Sequence, residues 1–539
     1  MAALTIPGAL RTAAARFSTA AAIEDGATRL GFVELLGAAE RVSAALIELA
    51  VERGDRIAIW APNGWQWIVA ALGALSAGAV IVPINTRFKG REAGYALEKS
   101  RARLLFTVSE FLGTEYPKLL AEAHGGPSAG RPIAGLPHLE RIVVFGEQRE
   151  NGLGWREFLA CGERVKKEAI EQRARSVTAD DASDILFTSG TTGEPKGVVT
   201  GHGQNLRAFT AWADVVGLSE TDRYLIVAPF FHAFGYKAGW LACLLKGATI
   251  LPHAVFEVRS VLERIGRDRV SVLPGPPTLY QSLLAEPDRA RFDLGGLRLA
   301  VTGAASIPVQ LVHRMKEELG FETVITGYGL TEACGIATMC RYDDDLETIA
   351  ATSGRAIPDV EVKILAADGR DADPGEPGEV VIRGYNVMRG YFEDPERTRE
   401  TIDGDGWLHT GDIGVLDQRG YLRITDRKKD MFIVGGFNCY PAEIENLVLQ
   451  HPGVAQVAVI GVDDQRLGEV GMAFMVLKHG AETGETGVPE LVAWCRNHMA
   501  NYKVPRYIEL VSSLPLNAAG KVDKPRLREQ SRALLARKA

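Results

Sequence analysis

Several things are scarce or missing in this 539-residue sequence, and each absence removes a class of function. Cysteine is scarce. The six residues Cys161, Cys243, Cys334, Cys340, Cys439 and Cys495 form no C-x-x-C pair, so neither a zinc site nor a redox dithiol is indicated, and reduced, mostly buried thiols are expected. An excess of positive charge is missing too: a net charge of −7 excludes a broad nucleic-acid surface, which needs a basic stripe. No apolar run is long enough, uninterrupted, to cross a bilayer. The segment 57–86 carries no charge, but Pro62, Gly64, Gly73, Gly78 and Pro83 divide it. Its pattern predicts a buried helix over Trp67–Ser76, Gly78 as the C-terminal cap, and a strand over Ala79–Val82. The segment 1–23 lacks acids and contains Arg11 and Arg16, as transit peptides do. Leu10, Ala14 and Phe17 nevertheless fall at helical spacing, and no cleavage-like break follows, so an amphipathic first helix is expected.

What is present suits a soluble globular chain: 46% hydrophobic and 24% charged residues, long enough for several packed units. Between Arg56 and Val108, short β-branched runs (57–59, 80–82, 104–107) alternate with helical stretches, which predicts parallel strands with crossover helices. A second set occupies Tyr224–Val227, Thr249–Leu251, Val270–Leu273, Leu299–Val301 and Thr323–Ile325, although no clear internal repeat is visible. After Asp359 the runs Val360–Ile364 and Glu379–Arg383 alternate in and out, as antiparallel strands do. Beyond Arg427 an amphipathic helix, two strands and a further helix predict a separate small unit. The expected fold is α/β: a large N-terminal domain, residues 1–428, of two layered βα subdomains plus a small β-barrel, and a small α+β C-terminal domain, residues 429–539.

The chain is organised around Thr188, Ser189, Gly190, Thr191, Thr192, Gly193, Glu194, Pro195, Lys196 and Gly197. Apolar runs on both sides make this a loop between two strands. Its glycines let N–H groups converge, its hydroxyls add donors, and Lys196 adds a mobile charge, which together make a cradle for a polyphosphate. The usual P-loop spacing is absent, because Pro195 precedes the lysine and Gly197 follows it. Taken alone, the same composition fits an ordinary Gly/Ser/Thr loop.

Three further stretches carry chemistry. Gly303, Ala304 and Ala305, and Thr326, Gly327 and Gly329, each follow a predicted strand and let a flat group lie against backbone. Tyr328 offers an aromatic face for adenine. Thr331 is placed toward phosphate, and Glu332 is a hard oxygen ligand for Mg²⁺, although a Thr-Glu pair is commonly just a helix start. Asp412, after a Thr-Gly turn, suits two ribose hydroxyls; an Asx-turn is the plain alternative. His232, within Pro229–Tyr236 at the end of a strand, suits a pocket mouth or, equally, a core histidine bonded to a carbonyl.

Together these motifs resemble the adenylate-forming superfamily of acyl-CoA synthetases, luciferases and peptide-synthetase adenylation domains, over nearly the whole chain. The resemblance implies that ATP, Mg²⁺ and coenzyme A are used, with Thr188 and Glu332 at the metal. It places Arg427 beside Asp412 on the ribose, although the commoner family form has glycine where this chain has Asp426. It makes Lys429 the hinge of a mobile C-terminal domain, Gly435, Gly436 and Phe437 a pantetheine-lining loop, and Lys521 the catalytic lysine that bridges carboxylate and α-phosphate. His232 would gate an acyl pocket lined by Phe234, Tyr236, Ala304, Gly329 and Ile336. No aspartate stands near His232 to pair with a substrate amine, which favours a plain carboxylic acid.

Stretches at 229–239, 272–284, 301–315 and 459–474 resemble members acting on a propanoate from steroid-ring breakdown. A medium-chain fatty or aryl acid, or transfer of the acyl group to another acceptor, stays open. The expected partners are a small carboxylic acid, ATP and CoA, in the cytoplasm, with no nucleic acid and no membrane span; monomer and homodimer both remain open. A scaffold without catalysis is disfavoured by the joint presence of Glu332, Asp412, Arg427 and Lys521.

Overall fold

The charge-free segment folds as strand Arg56–Trp60, helix Trp65–Ser76 and strand Val80–Pro83. The helix is buried from Trp67 to Ser76, and Gly78 follows it with φ +81°. An all-apolar helix has no solvent face, so it must be enclosed by its neighbours. The computed structural model describes residues 4–127, 132–146, 152–188, 195–303, 309–366, 368–427, 432–439, 441–478, 487–515 and 522–536. The expected first helix is Ile6–Arg16, capped by Thr5 Oγ1 accepting from the Gly8 N–H. Among the described residues no helix is long and apolar enough to cross a membrane. Five of the six free cysteines are buried, and Cys161 is partly so.

The chain divides into two units. The larger comprises Met1–Thr86, Ala93–Phe187 and Gly197–Asp426; the smaller comprises Arg87–Glu92, Thr188–Lys196 and Arg427–Ala539. One sheet of the larger unit has eight strands, in the order Gly390–Tyr391, Lys196–Gly201, Ala182–Thr188, Val80–Pro83, Arg56–Trp60, Leu104–Thr107, Arg141–Val144 and Leu153–Gly154. Its centre is parallel, with Ile57 opposite Leu104 and Ile81 opposite Asp184. In the second sheet Arg223–Ile226 runs parallel to Thr249–Pro252, and Leu299–Gly303 runs parallel to Thr323–Tyr328.

The expected strand over Val270–Leu273 contracts to a bridge. Val272 alone pairs, with Tyr224 on one side and Leu299 on the other, joining the two halves of that sheet. Pro274, Gly275, Pro276 and Pro277 follow immediately, and prolines cannot donate to a ladder. The antiparallel element has four strands, Val360–Leu365, Gly378–Gly384, Leu408–Leu416 and Leu422–Arg427.

The smaller unit has its own sheet, in which the long hairpin Val454–Asp464 and Gly468–Leu477 is joined by Tyr507–Leu510. Helices Pro441–Val448, Val488–His498 and Lys524–Ala536 accompany it. Ile444, Val459, Met472, Phe474, Leu491 and Leu527 belong to one apolar cluster.

Candidate active site

Strands Leu299–Gly303 and Thr323–Tyr328 pair in register and end together at Gly303 opposite Gly327. Carboxyl ends of neighbouring parallel strands are the usual ligand-binding edge of such sheets. Glycine is needed here for close backbone approach. A Cβ on Gly303 would lie 2.5 Å from the Gly327 carbonyl oxygen, and one on Gly329 would lie 2.3 Å from that of Gly335. Thr326 is buried, and its hydroxyl lies 2.9 Å from the Ile349 carbonyl oxygen and 3.0 Å from that of Thr352.

The aromatic plate and the ribose carboxylate inferred from sequence are brought together. Tyr328 Oη donates to Asp412 Oδ2 at 2.6 Å, across 84 residues of chain. Asp412 is only 5% exposed. Its turn is tied down as well: the Asp412 N–H donates to Thr410 Oγ1 at 3.1 Å, and the Gly411 N–H to Glu379 Oε1 at 3.2 Å. A charge-assisted bond of this length fixes a carboxylate more firmly than a neutral one would.

Glu332 lies in the short 3₁₀ turn Thr331–Ala333, with Cys334 in the left-handed region after it. Its backbone carbonyl accepts from the Met388 N–H at 2.7 Å, and its Oε1 accepts from Tyr391 Oη at 3.1 Å. Tyr391 belongs to the two-residue strand opposite Val198 and Val199, just past the candidate phosphate loop in sequence. Nothing in the sequence marks it, because its partner lies 59 positions away.

The side expected from sequence to take the acyl group begins where strand Arg223–Ile226 ends. Asn63 holds the turn that follows: its Nδ2 donates to the carbonyls of Ile226 and Ala228, and its Oδ1 accepts from the Phe230 N–H. His232 then keeps exposed surface while sitting deep among protein atoms, and desolvation lowers its pKa. An imidazole in such a crevice stays neutral where a free one would begin to protonate. Phe234 is half-buried, Ile336 is buried, and Tyr236 is wholly enclosed, stacked on Trp240 at 4.8 Å. Tyr236 thus backs the wall and adds no open surface to it.

Lys237, which the sequence reading passed over, is fully buried with its Nζ 3.0 Å from Asp184 Oδ1. It had a legible signal: it is the only charged residue between Ala233 and Leu245.

In the smaller unit Gly435 and Gly436, at φ +55° and +86°, form the two-residue turn between Phe432–Val434 and Phe437–Cys439. Positive φ at both central residues is what a tight hairpin of this type requires. Phe437 stacks on Tyr502 at 4.7 Å. Thr188 and Lys196 terminate the strands flanking the phosphate loop, and Arg427 is the last residue of strand Leu422–Arg427. Pro515 and Asp523, on either side of the segment with Lys521, are joined by an N–H···O bond of 2.8 Å. Ser189, Gly190, Thr191, Thr192, Gly193, Ala304, Ala305, Lys429 and Lys521 themselves lie outside the described residues.

Residues 10–392 match the AMP-binding enzyme family, and residues 443–521 match the C-terminal domain of AMP-binding enzymes. The chain is 48% identical over 531 residues to a methyl-dioxo-octahydroindenyl-propanoyl:CoA ligase of Rhodococcus jostii, covering 98% of this chain and 99% of that one. It is 49% identical over 525 residues to the ligase of the same name from Mycobacterium tuberculosis, covering 97% and 98%. Among solved structures, a double mutant of o-succinylbenzoate CoA synthetase from Bacillus subtilis, bound to a product analogue, matches with a TM-score of 0.78. That match has 28% identity over 97% of this chain and 98% of the other. A buried carboxylate tied to an aromatic plate, at the ends of parallel strands and in a chain with these relatives, places the protein: it belongs to the AMP-binding enzyme family, as an AMP-forming acyl-CoA synthetase.

Proposed function

We propose that this synthetase activates a propanoate carried on a fused, oxygenated ring system of the kind left by steroid-ring breakdown. What supports this most is near-half identity, along almost the entire chain, to two ligases named for such an acid. The enzyme works in the cytoplasm, where ATP and CoA are supplied and unpaired thiols stay reduced.

A carboxylate is a poor electrophile, so it is first given a leaving group. One oxygen of the acid attacks the α-phosphorus of ATP, the bond to the bridging oxygen breaks, and acyl-adenylate and diphosphate result. The CoA thiol, losing its proton, then attacks the acyl carbon; the thioester forms and AMP leaves with the bonding pair. Tyr328 takes the adenine against its ring, and Asp412, with Arg427, holds the ribose. The family resemblance gives Lys521 the part of bridging the attacking carboxylate and the α-phosphate, offsetting charge as the phosphorus becomes five-coordinate; positioning and electrostatics suffice without a covalent enzyme intermediate.

The residues present fit Mg²⁺. Such sites use one or two carboxylates and complete the shell with phosphate oxygens and water. Glu332, steadied by Tyr391, is one such carboxylate, and the Thr188 hydroxyl is a second oxygen donor. When bound, the ion neutralises charge on the phosphates.

The experiment is CoA-dependent AMP release from purified enzyme across a panel of acids: the dioxo-octahydroindenyl propanoate, octanoate and benzoate. The ring propanoate is expected to have the highest kcat/KM, by about tenfold or more. A higher value for octanoate or benzoate would overturn the substrate assignment while leaving the ligase chemistry intact.

A further inference from the structure

The buried lysine behind the acyl wall has no role in the chemistry above. Lys237 Nζ lies 3.0 Å from Asp184 Oδ1 and donates to Thr200 Oγ1 at 2.9 Å. Asp184 is fully enclosed as well, and four donors converge on it. Thr200 Oγ1 reaches Oδ1 at 2.8 Å, while Ser183 Oγ at 2.8 Å and Asn205 Nδ2 at 2.7 Å reach Oδ2. Replacing a buried ion pair by apolar side chains of similar volume is often neutral or stabilising. The pair therefore calls for another explanation, and specifying one packing among several is the best-attested use of such groups.

What it specifies is visible in the backbone. Lys237 sits in the widened helical turn Tyr236–Leu241, which makes π-type hydrogen bonds and contains Gly239 at ψ −107°. Such turns are rare and are frequent at functional sites. This one directly follows His232 and Phe234; besides its own helical hydrogen bonds it is tied by the Tyr236 N–H to the His232 carbonyl and by Tyr224 Oη to the Ala238 carbonyl, and Tyr236 and Trp240 pack against Trp67. Were it to tighten to an ordinary α turn, Lys237 would rotate away from Asp184 and leave two unpaired buried charges. At the other end, Asp184 belongs to strand Ala182–Thr188, flanked by a paired strand on either side. Asp184 is fixed within a sheet of paired strands, whereas Lys237 is carried by the turn whose hydrogen-bond pattern is irregular, so loss of the pair bears on the turn.

We propose that Lys237 is a positioning residue for the acid: anchored on Asp184 and Thr200, it fixes the register of the widened turn, and so the placement of His232 and Phe234. This rests on the assignment of those two residues to the acyl pocket. Loss of the pair raises KM for the carboxylic acid and leaves KM for ATP alone.

The test replaces both charges at once, Lys237→Met with Asp184→Asn, because either single change strands a buried charge. An amide at 184 still accepts from Ser183 and Asn205, and it donates to Thr200. Diphosphate-exchange kinetics are read for each substrate, beside the thermal midpoint. Expected are an acid KM raised about tenfold and an ATP KM within about twofold of wild type, with the midpoint kept. Should the double variant not fold, Thr200→Val decides: it keeps the pair but removes one oxygen beneath the ammonium, and about a threefold rise in acid KM alone is expected. Phe234→Ala is the control for the pocket. If it leaves acid KM unchanged, the pocket assignment falls and this proposal with it. If it raises acid KM while the Lys237 and Thr200 variants do not, only the positioning role is overturned. Equal rises in both KM values also overturn it.

Discussion

The two units hold their functional groups in opposite ways. In the larger unit the two candidate acids, Asp412 for the ribose and Glu332 for the metal, are each fastened by a tyrosine from a distant part of the chain, Tyr328 and Tyr391. In the smaller unit the described candidates sit at a turn. Gly435 and Gly436 make a two-residue turn, and Lys521 belongs to the segment between the hydrogen-bonded Pro515 and Asp523. Groups that grip a ligand throughout a reaction gain from being pre-organised, since nothing then has to reorganise as charge develops. A group needed for only one of two steps is better carried on an element that can be withdrawn.

The sharpest way to break this comparison is Lys521→Ala. Adenylation, followed by diphosphate exchange, is expected to fall at least ~10²-fold, about 3 kcal/mol of transition-state stabilisation. Thioester formation from supplied acyl-adenylate and CoA should stay within about threefold of wild type. Equal losses in the two half-reactions would mean that the lysine is a fixed part of one site, and the contrast between the units would disappear.

Tyr391→Phe probes the fastened side. It removes one hydroxyl from a carboxylate and leaves the ring in place, and a hydrogen bond to a charged group is worth about 1.5 kcal/mol or slightly more. About a tenfold drop in kcat/KM for ATP follows, with an increased requirement for Mg²⁺ and an unchanged thermal midpoint. A change below about twofold would show that Glu332 holds its place without Tyr391.

How much of this was legible in the sequence follows the range of the forces involved. Periodicity and turn residues located the charge-free strand–helix–strand, the parallel strands on both sides of the phosphate loop, and the change to antiparallel pairing after Asp359. These are local signals. The run at Val270 misled because a short valine-containing run looks alike whether it pairs along its length or at one point; the prolines after it decided the matter. The close backbone approaches at Gly303 and Gly329 were legible because such glycines leave a mark in composition. The long-range partners were not. Tyr391 and Lys237 act through contacts with residues far along the chain, and nothing in a neighbouring residue type records such contacts. Lys237 came nearest to being visible, as a lone charge in an apolar stretch.

Acid is the mildest way to sharpen the comparison, because it weakens the larger unit through a histidine that joins two of its distant parts. His202 opens helix His202–Val215, and its Nδ1 accepts from the Ile6 N–H at 3.3 Å. It is 1% exposed, and burial lowers its pKa to about 4, against the opposing pull of Asp184 and Asp181. In the unfolded chain the same imidazole titrates near ~6.5, so between these values the unfolded state binds the extra proton. Its contribution to stability is therefore complete above pH ~6.5 and declines as pH falls toward 4. From pH ~6.5 to ~5.5 the loss is about 1 kcal/mol, a shift of the midpoint by about 1 °C for a unit of this size. His253, with a pKa also lowered to about 4, adds to the same slope. His202→Asn keeps an acceptor for Ile6 but has no proton to gain, and calorimetry should find its midpoint less dependent on pH over this interval. An acid slope identical to wild type would assign the sensitivity to His253 and to groups outside this helix start.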